Sequence, residues 1–171
     1  QMNVQLRMTR HTYNQIRVDL SRPHPFAGER VGFLFAKHGL ADGDTILVLP
    51  ASYQVIPDDQ YIDDPKVGAK INSIAIRNAM QRSMDNGESV FHVHMHEHLG
   101  RPAFSRLDRR ELFFLIQSFQ NVSPKLPHGA MVLSYDDTAA LIWLPNEEKP
   151  VSVAKITVVG YPVTFHGEGY V

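Results

Sequence analysis

The sequence contains no cysteine among its 171 residues. This absence excludes a disulfide framework, a thiolate nucleophile and thiolate metal ligands, so any zinc site must be built from histidine and carboxylate side chains. Long hydrophobic runs are also missing: no apolar stretch reaches the roughly 18 residues of a membrane span, and the first residues lack the charged-then-apolar pattern of a signal peptide. We therefore predict a cytoplasmic protein.

A charge excess of either sign is absent as well. The formal net charge is −1 at pH 7, and charged residues make up 20% of the chain. This balance gives no basic surface for nucleic acid or an anionic membrane, and it indicates a partner that is recognised by shape. A chain of this length can bury one sizeable core, so we expect a single domain over residues 2–171.

Hydrophobic periodicity predicts an α/β fold, with a mixed β-sheet and flanking helices. Alternating residues predict strands, and apolar residues at i, i+3, i+4 and i+7 predict helices. The predicted elements are a strand at 4–9, a helix capped by Thr9, a hairpin starting at 29–37, a helix within 67–86, a histidine-rich strand, a helix over 105–119, and further strands after residue 129. Between the hairpin and the second helix, the acidic residues 56–66 read as a surface loop and a candidate substrate cover.

The most informative stretch has four histidines at alternate positions, His92, His94, His96 and His98. A strand would place all four on one face, and neutral imidazole is a common zinc ligand. Asp108, which follows closely in the sequence, could supply a third ligand. A pH-sensing surface and an adventitious metal-binding patch are the alternative interpretations.

Several known zinc motifs do not fit these histidines. The helical HExxH pattern fails because the fourth residue after His96 is Gly100. A nucleobase deaminase needs a cysteine pair, and a barrel amidohydrolase needs about 250 residues. A compact α/β zinc hydrolase remains.

Two motifs carry a resemblance to a known family. His94-Met95-His96 followed by Ser105-Arg106-Leu107-Asp108 resembles the HxH…SxxD signature of the JAMM (JAB/MPN) zinc metalloproteases, and Glu29 in GERVGFLFA resembles that family's strand with its catalytic glutamate. The resemblance implies the family's cytidine-deaminase-like fold. The form HxHxH…GxPxFSxxD is similar to bacterial members that process ubiquitin-like modifiers.

The spacing leaves the ligand pair open. Eight residues separate His96 from Ser105, and six separate His98 from Ser105; the family's usual spacing lies between the two. We favour His94 and His96 as the histidine ligands, with His98 or His92 replacing one of them as the alternative.

The resemblance also implies a role for each residue. His94, His96 and Asp108 would hold one zinc ion per chain and leave a fourth position for a catalytic water, whose pKa falls toward ~7. Glu29 would be the general base and acid, and Ser105 would donate to the oxyanion. Ser105 and Asp108 also match a helix capping box, a purely structural role that is compatible with the first.

The function expected from this resemblance is a zinc-dependent isopeptidase that cleaves after the C-terminal glycine of a ubiquitin-like protein. The first alternative is a catalytically silent MPN-like scaffold that binds a ubiquitin-like tail. The second is a small zinc peptidase or amidase that acts on no protein modifier. The sequence does not indicate which modifier or target is used, or the oligomeric state.

Overall fold

The computed structural model describes residues 2–168; Gln1 and the last three residues of the predicted domain, 169–171, lie outside the described residues. The prediction of an α/β fold is confirmed, because one mixed sheet carries helices on both faces. The elements are β1 (Asn3–Thr9), α1 (Arg10–Leu20), β2 (Val31–Ala41), β3 (Thr45–Val55), α2 (Ser73–Asn86), β4 (Ser89–Met95), α3 (Arg106–Val122), β5 (His128–Leu133), β6 (Thr138–Trp143), β7 (Val151–Ser152), β8 (Lys155–Val159) and β9 (Thr164–Gly167).

Within residues 2–168, nine strands form one sheet in the order β7-β6-β5-β4-β2-β3-β1-β8-β9. β1 is parallel to β3 and β8, and β4 is parallel to β5, while the other neighbours are antiparallel. The sheet curls strongly, since the segment between β7 and β8 hydrogen-bonds to both β6 and β1, through Val153 to Ala140 and Ala154 to Val4.

Helices cover both faces of this sheet and bury two apolar cores. Along β4 the alternation of a strand sends Phe91, Val93 and Met95 toward the core that contains α1. The intervening positions, such as Val90, face the core that contains α2 and α3. His92 and His94 therefore point to the α2–α3 side of the sheet.

The helix starts follow side-chain caps. The Thr9 hydroxyl accepts from the Thr12 amide at the start of α1, as predicted. The prediction that the second helix begins near residue 67 is wrong: α2 begins at Ser73, and its N-cap Asn72 accepts from the Ile74 and Ala75 amides. Residues 67–72 stay outside the helix because Ile71 bridges to Tyr61 and the Gly68 carbonyl accepts from the Glu29 amide. None of the helices within residues 2–168 is long and apolar enough to cross a membrane.

The prediction of one strand carrying four histidines is also wrong. β4 ends at Met95, so only His92 and His94 lie within it. The His96 amide still donates to the carbonyl of Leu133, where β5 ends, and the chain then turns, with the His98 amide donating to the His96 carbonyl. The partner strand ends here, so the alternation cannot continue.

The acidic segment 56–66 is packed at its base and is not a freely solvated loop. Ile56 and Tyr61 are buried, and Asp58 pairs with the buried Arg30 at 2.7 Å. The Tyr61 hydroxyl accepts from the Val31 amide and donates to the Val31 carbonyl. These contacts fix the segment beside the start of β2, which begins at Val31 and leaves Glu29 just outside the strand.

Candidate metal centre

His94, His96 and Asp108 converge at the end of β4 and the start of α3. Nε2 of His94 lies 3.2 Å from Nε2 of His96. Oδ2 of Asp108 lies 3.6 Å from the first nitrogen and 3.7 Å from the second. The three atoms form a nearly equilateral triangle, and the group could hold a metal ion.

The size of this triangle fits a small tetrahedral ion. Ligand atoms bonded to such an ion at about 2.0–2.1 Å are spaced by about 3.3–3.4 Å, as tetrahedral geometry requires. The three observed separations bracket that spacing, and the fourth corner of the tetrahedron is left to a non-protein ligand. The fit also supports the two Nε2 atoms and Oδ2 of Asp108 as the ligand atoms, because each already lies within 3.7 Å of the other two.

The charge states of these residues favour cation binding. Although burial alone would raise it, the neighbouring His94 ring and hydrogen bonds from Ser105 hold the pKa of Asp108 well below its usual range. Burial, and then the neighbouring His94 ring, lower the pKa of His96. At neutral pH the group therefore presents one carboxylate and a neutral His96 imidazole, which are the protonation states that a metal ion requires.

The start of α3 fixes Asp108 through a capping box. The Ser105 hydroxyl accepts from the Asp108 amide at 3.0 Å, and Oδ2 of Asp108 accepts from the Ser105 amide at 2.7 Å. The predicted capping role of Ser105 and Asp108 is thus confirmed. A cap orients the carboxylate rigidly, because the same oxygen that faces the histidines is tied to the backbone.

Glu29 reaches the same place from the residues just before β2. β2 and β4 are antiparallel with Val31 opposite His94, so Glu29, two residues before Val31, lies beside the histidines. Burial raises the pKa of Glu29; His94 opposes this effect, while Asp108 and Glu97 add to it. The general-base role that the resemblance implies for Glu29 requires this neighbourhood of β2 and β4.

The other two histidines of the motif lie differently. His92 lies two residues before His94 in β4, on the same face of the sheet. Burial lowers the pKa of His92 to about 3. Its Nδ1 is buried without a hydrogen-bond partner among residues 2–168. His98 is exposed, and its Nδ1 lies 2.8 Å from the Leu99 carbonyl oxygen. The structure thus brings His94 and His96 together with Asp108, and it places neither His92 nor His98 in that group.

A cleft of about 420 Å³ opens beside the group. Its floor includes Glu29, His92 and His94, one wall is α3, and the other wall is the segment 64–71 with Ile76 of α2. The cleft therefore connects the candidate metal ligands to a partly enclosed space that a substrate could fill.

Sequence reasoning missed two residues of this site. Gly68 approaches Glu29 so closely that a Cβ at this position would lie 2.8 Å from the Glu29 Cδ. Glu111 lines the cleft one helical turn after Asp108. The i, i+3 spacing from Asp108 was a signal for Glu111, whereas nothing local in the sequence marks Gly68.

The fold and the site thus define an α/β protein with a candidate metal centre. No protein-family model matches the chain, and no curated protein matches it. Among solved structures, the Trichoplax adhaerens STIL N-terminal domain is similar over 78% of this chain and 39% of that chain, with 11% sequence identity and a TM-score of 0.36. This chain therefore spans less than half the length of that structure, and a likeness at this level carries no argument about function.

Proposed function

We propose that this protein is a zinc-dependent isopeptidase of the JAMM type, which hydrolyses the amide bond after the C-terminal glycine of a ubiquitin-like protein. The observation that carries the proposal is the triangle of His94, His96 and Asp108, with separations of 3.2, 3.6 and 3.7 Å, beside Glu29. The order of strands and helices around it supports the family's cytidine-deaminase-like arrangement.

The donor set favours zinc. Two imidazole nitrogens and one carboxylate oxygen with an open fourth position are typical of catalytic zinc, whereas magnesium and calcium prefer oxygen ligands. When bound, the ion supplies the Lewis acidity that activates a water molecule at neutral pH. The fold's part is to hold the three ligand side chains in place around the ion.

Glu29 is proposed as the residue that moves the proton. Its carboxylate can accept a proton from the attacking water and return it to the leaving amine nitrogen. A carboxyl whose pKa is raised by burial is better matched to this exchange than an ordinary surface glutamate. Gly68 gives the side chain room, and the Glu29 amide is anchored to the Gly68 carbonyl at 2.8 Å.

Ser105 is proposed as the oxyanion donor. Its hydroxyl oxygen accepts from the Asp108 amide, and its single hydrogen, which the hydroxyl can also donate to the Asp108 carboxylate, would turn to the developing negative charge when the amide is attacked. The N-terminus of α3 adds a favourable local potential at the same point. Capping and oxyanion stabilisation thus use different parts of one hydroxyl group.

The substrate class is supported by the HxHxH…GxPxFSxxD resemblance, and the cleft offers room for an extended tail.

The first experiment is metal analysis of purified protein. We expect one zinc per chain, lost in His94→Ala and Asp108→Ala because two protein ligands hold zinc poorly. His98→Ala is the matched control and should keep its zinc. Protein that neither carries zinc nor binds it with better than micromolar affinity would rule out the proposal.

The second experiment tests the reaction. The zinc-loaded protein is incubated with a ubiquitin-like fusion encoded near its own gene, with and without a chelator. Cleavage after the terminal glycine should require zinc, and Glu29→Gln should keep zinc and bind the fusion without cleaving it. If the wild-type protein binds the fusion but never cleaves it, the silent scaffold is correct. If it cleaves only short peptides, the small peptidase is correct.

A further inference from the structure

The second histidine of the candidate metal centre lies outside the regular secondary structure. β4 ends at Met95 and α3 is capped at Ser105, so residues 96–104 form a loop that joins the two elements. The loop carries the ligand His96 at its first residue and ends just before the cap that orients Asp108. Its conformation therefore affects where His96 lies relative to Asp108 before any metal is bound.

The first half of this loop is hydrogen-bonded to the turn between β5 and β6, residues 134–137. The His98 carbonyl accepts from the Tyr135 amide at 2.9 Å. Two residues further on, the Gly100 amide donates to Oδ1 of Asp136 at 2.8 Å. This second contact is made by a side chain, so a substitution can remove it without altering the backbone of either segment.

The turn that carries Asp136 is itself held in place. Oδ1 of Asp136 also accepts from the hydroxyl of the buried Ser134 at 3.2 Å. From α1, the guanidinium of Arg17 donates to the Ser134 carbonyl at 3.1 Å and to the Tyr135 carbonyl. Because the turn is fixed by these contacts, the Asp136 carboxylate is a stationary acceptor to which the loop can be anchored.

We propose that Asp136 is a positioning residue of the metal centre, which holds His96 in its metal-binding position by anchoring the loop 96–104 through the Gly100 amide. A loop that is anchored beforehand loses less conformational entropy when the metal binds. Residues that support metal ligands from outside the ligand set typically change metal affinity by about 10–100-fold when they are mutated. The proposal rests on the metal site of the function proposed above and does not depend on the reaction.

The first test measures zinc affinity by competition with a chromophoric chelator. Asp136→Ala removes the acceptor for the Gly100 amide and should raise the zinc dissociation constant about tenfold. Asp136→Asn keeps a side-chain oxygen that can accept this hydrogen bond, so its dissociation constant should stay within about twofold of the wild-type value. Asp42→Ala is the matched control, because it removes an exposed carboxylate from the turn between β2 and β3 and should have as little effect.

The asparagine variant separates loop anchoring from a simple effect of charge. If Asp136→Asn binds zinc as weakly as Asp136→Ala, the negative charge and not the hydrogen bond is responsible, and the proposal is wrong. The visible spectrum of bound Co²⁺ adds a measure of ligand geometry. It should change in Asp136→Ala and keep its wild-type form in Asp136→Asn. Wild-type affinity and spectrum in Asp136→Ala would contradict the proposal.

A measurement on the metal-free protein separates this proposal from the isopeptidase function. Hydrogen–deuterium exchange followed by mass spectrometry reports how well the amides of the loop 96–104 are protected. Asp136→Ala should increase exchange in this loop several-fold, while Asp136→Asn and Asp42→Ala should leave it unchanged. That result supports the assignment even if no substrate is ever cleaved. Unchanged exchange in Asp136→Ala overturns the assignment even if hydrolysis is robust.

Discussion

The Ser105 hydroxyl caps α3 and is also proposed as the oxyanion donor, and alanine cannot separate these roles because it removes both. We predict that Ser105→Gly will unfold nearly like the wild type, because glycine at an N-cap costs only a few tenths of a kcal/mol relative to serine. It should retain zinc, while kcat falls by roughly 10²–10³ through loss of the oxyanion donor. Thermal melts, metal analysis and fusion cleavage measure the three effects.

Ser105→Ala is the control for this experiment and should lose ~1 kcal/mol of stability, because the cap is removed without the backbone freedom of glycine. Normal cleavage by Ser105→Gly would leave the hydroxyl with the capping role alone.

Gly68 tests the position of Glu29 without altering its chemistry. A Cβ at residue 68 would lie 2.8 Å from the Glu29 Cδ, so the glutamate side chain must move away. We predict that Gly68→Ala will fold with little loss of stability, because the displaced group is the end of a flexible side chain, and will cleave at least tenfold more slowly. The measurements are urea melts and kcat/KM.

Gly28→Ala is the matched control, because a Cβ there would meet its nearest heavy atom, the Gly68 carbonyl oxygen, at an ordinary 3.5 Å. Equal activity of the two alanine variants would show that Glu29 does not act from the position seen here.

Some residues of the site can be predicted from their neighbours in sequence and others cannot. Alternation brings His92 and His94 to one face, and the Ser-x-x-Asp pattern predicts the cap that orients Asp108. The choice of His96 over His98 depends on where β5 ends, a long-range fact that spacing within the motif does not contain. The approach of Gly68 to Glu29 is likewise a contact between segments distant in sequence.

At the scale of elements, the segment 56–66 is held at its base by Tyr61. The Tyr61 hydroxyl is the acceptor for the buried Val31 amide, and Val31 lies opposite His94 in the sheet. We predict that Tyr61→Phe will lower the free energy of unfolding by about 1–3 kcal/mol, because a buried N–H group loses its partner. The segment should also become more susceptible to limited proteolysis.

The control for the segment is Tyr161→Phe, which removes a hydroxyl from a side chain that is 99% exposed and should change stability by less than about 0.5 kcal/mol. Wild-type stability of Tyr61→Phe would show that packing alone holds the segment.

Periodicity predicted the types of the elements better than their limits. The 3.6-residue pattern of α3 and its cap were readable, whereas α2 was extended backward over residues 67–72 because Val67 and Ile71 also fit helical spacing. Within this range Ile71 instead forms a β-bridge with Tyr61, and the Gly68 carbonyl accepts from the Glu29 amide. Hydrogen bonds to distant segments thus outweighed the local helical preference of residues 67–72.

At the scale of the whole molecule, the curled sheet is the feature least accessible from sequence. Its order places β1 between β3 and β8, and the imidazole of His166 in β9 lies 2.8 Å from Oδ1 of Asp137, the residue before β6. The pairing of β1 with β8 joins segments separated by most of the chain. Strand alternation specifies which face is buried but not which strand is the neighbour, so the global order had to come from the structure.

The stability of the whole protein should depend on pH through one buried histidine, His128. This residue lies between β4 and the end of α3, and its side chain is fully buried. Its Nδ1 accepts from the Val90 amide at 3.1 Å, and its Nε2 lies 3.1 Å from the Ser123 carbonyl oxygen. Burial lowers the pKa of His128 to about 4, although the Ser123 carbonyl opposes the shift. The folded protein therefore keeps this ring neutral where the unfolded chain, with a pKa near 6.5, takes up a proton.

We predict that this histidine's contribution to stability is complete above about pH 6.5 and is lost as the pH falls toward 4, because the unfolded state then binds one proton more than the folded state. The difference between a pKa of about 4 in the folded protein and about 6.5 in the unfolded chain corresponds to ~3 kcal/mol. In urea melts with chelator present, the stability gap between wild type and His128→Gln should shrink by about that amount between pH 7 and pH 4. Comparing the two proteins cancels the titration of groups they share, so a gap that stays constant would show that His128 is not held neutral by burial.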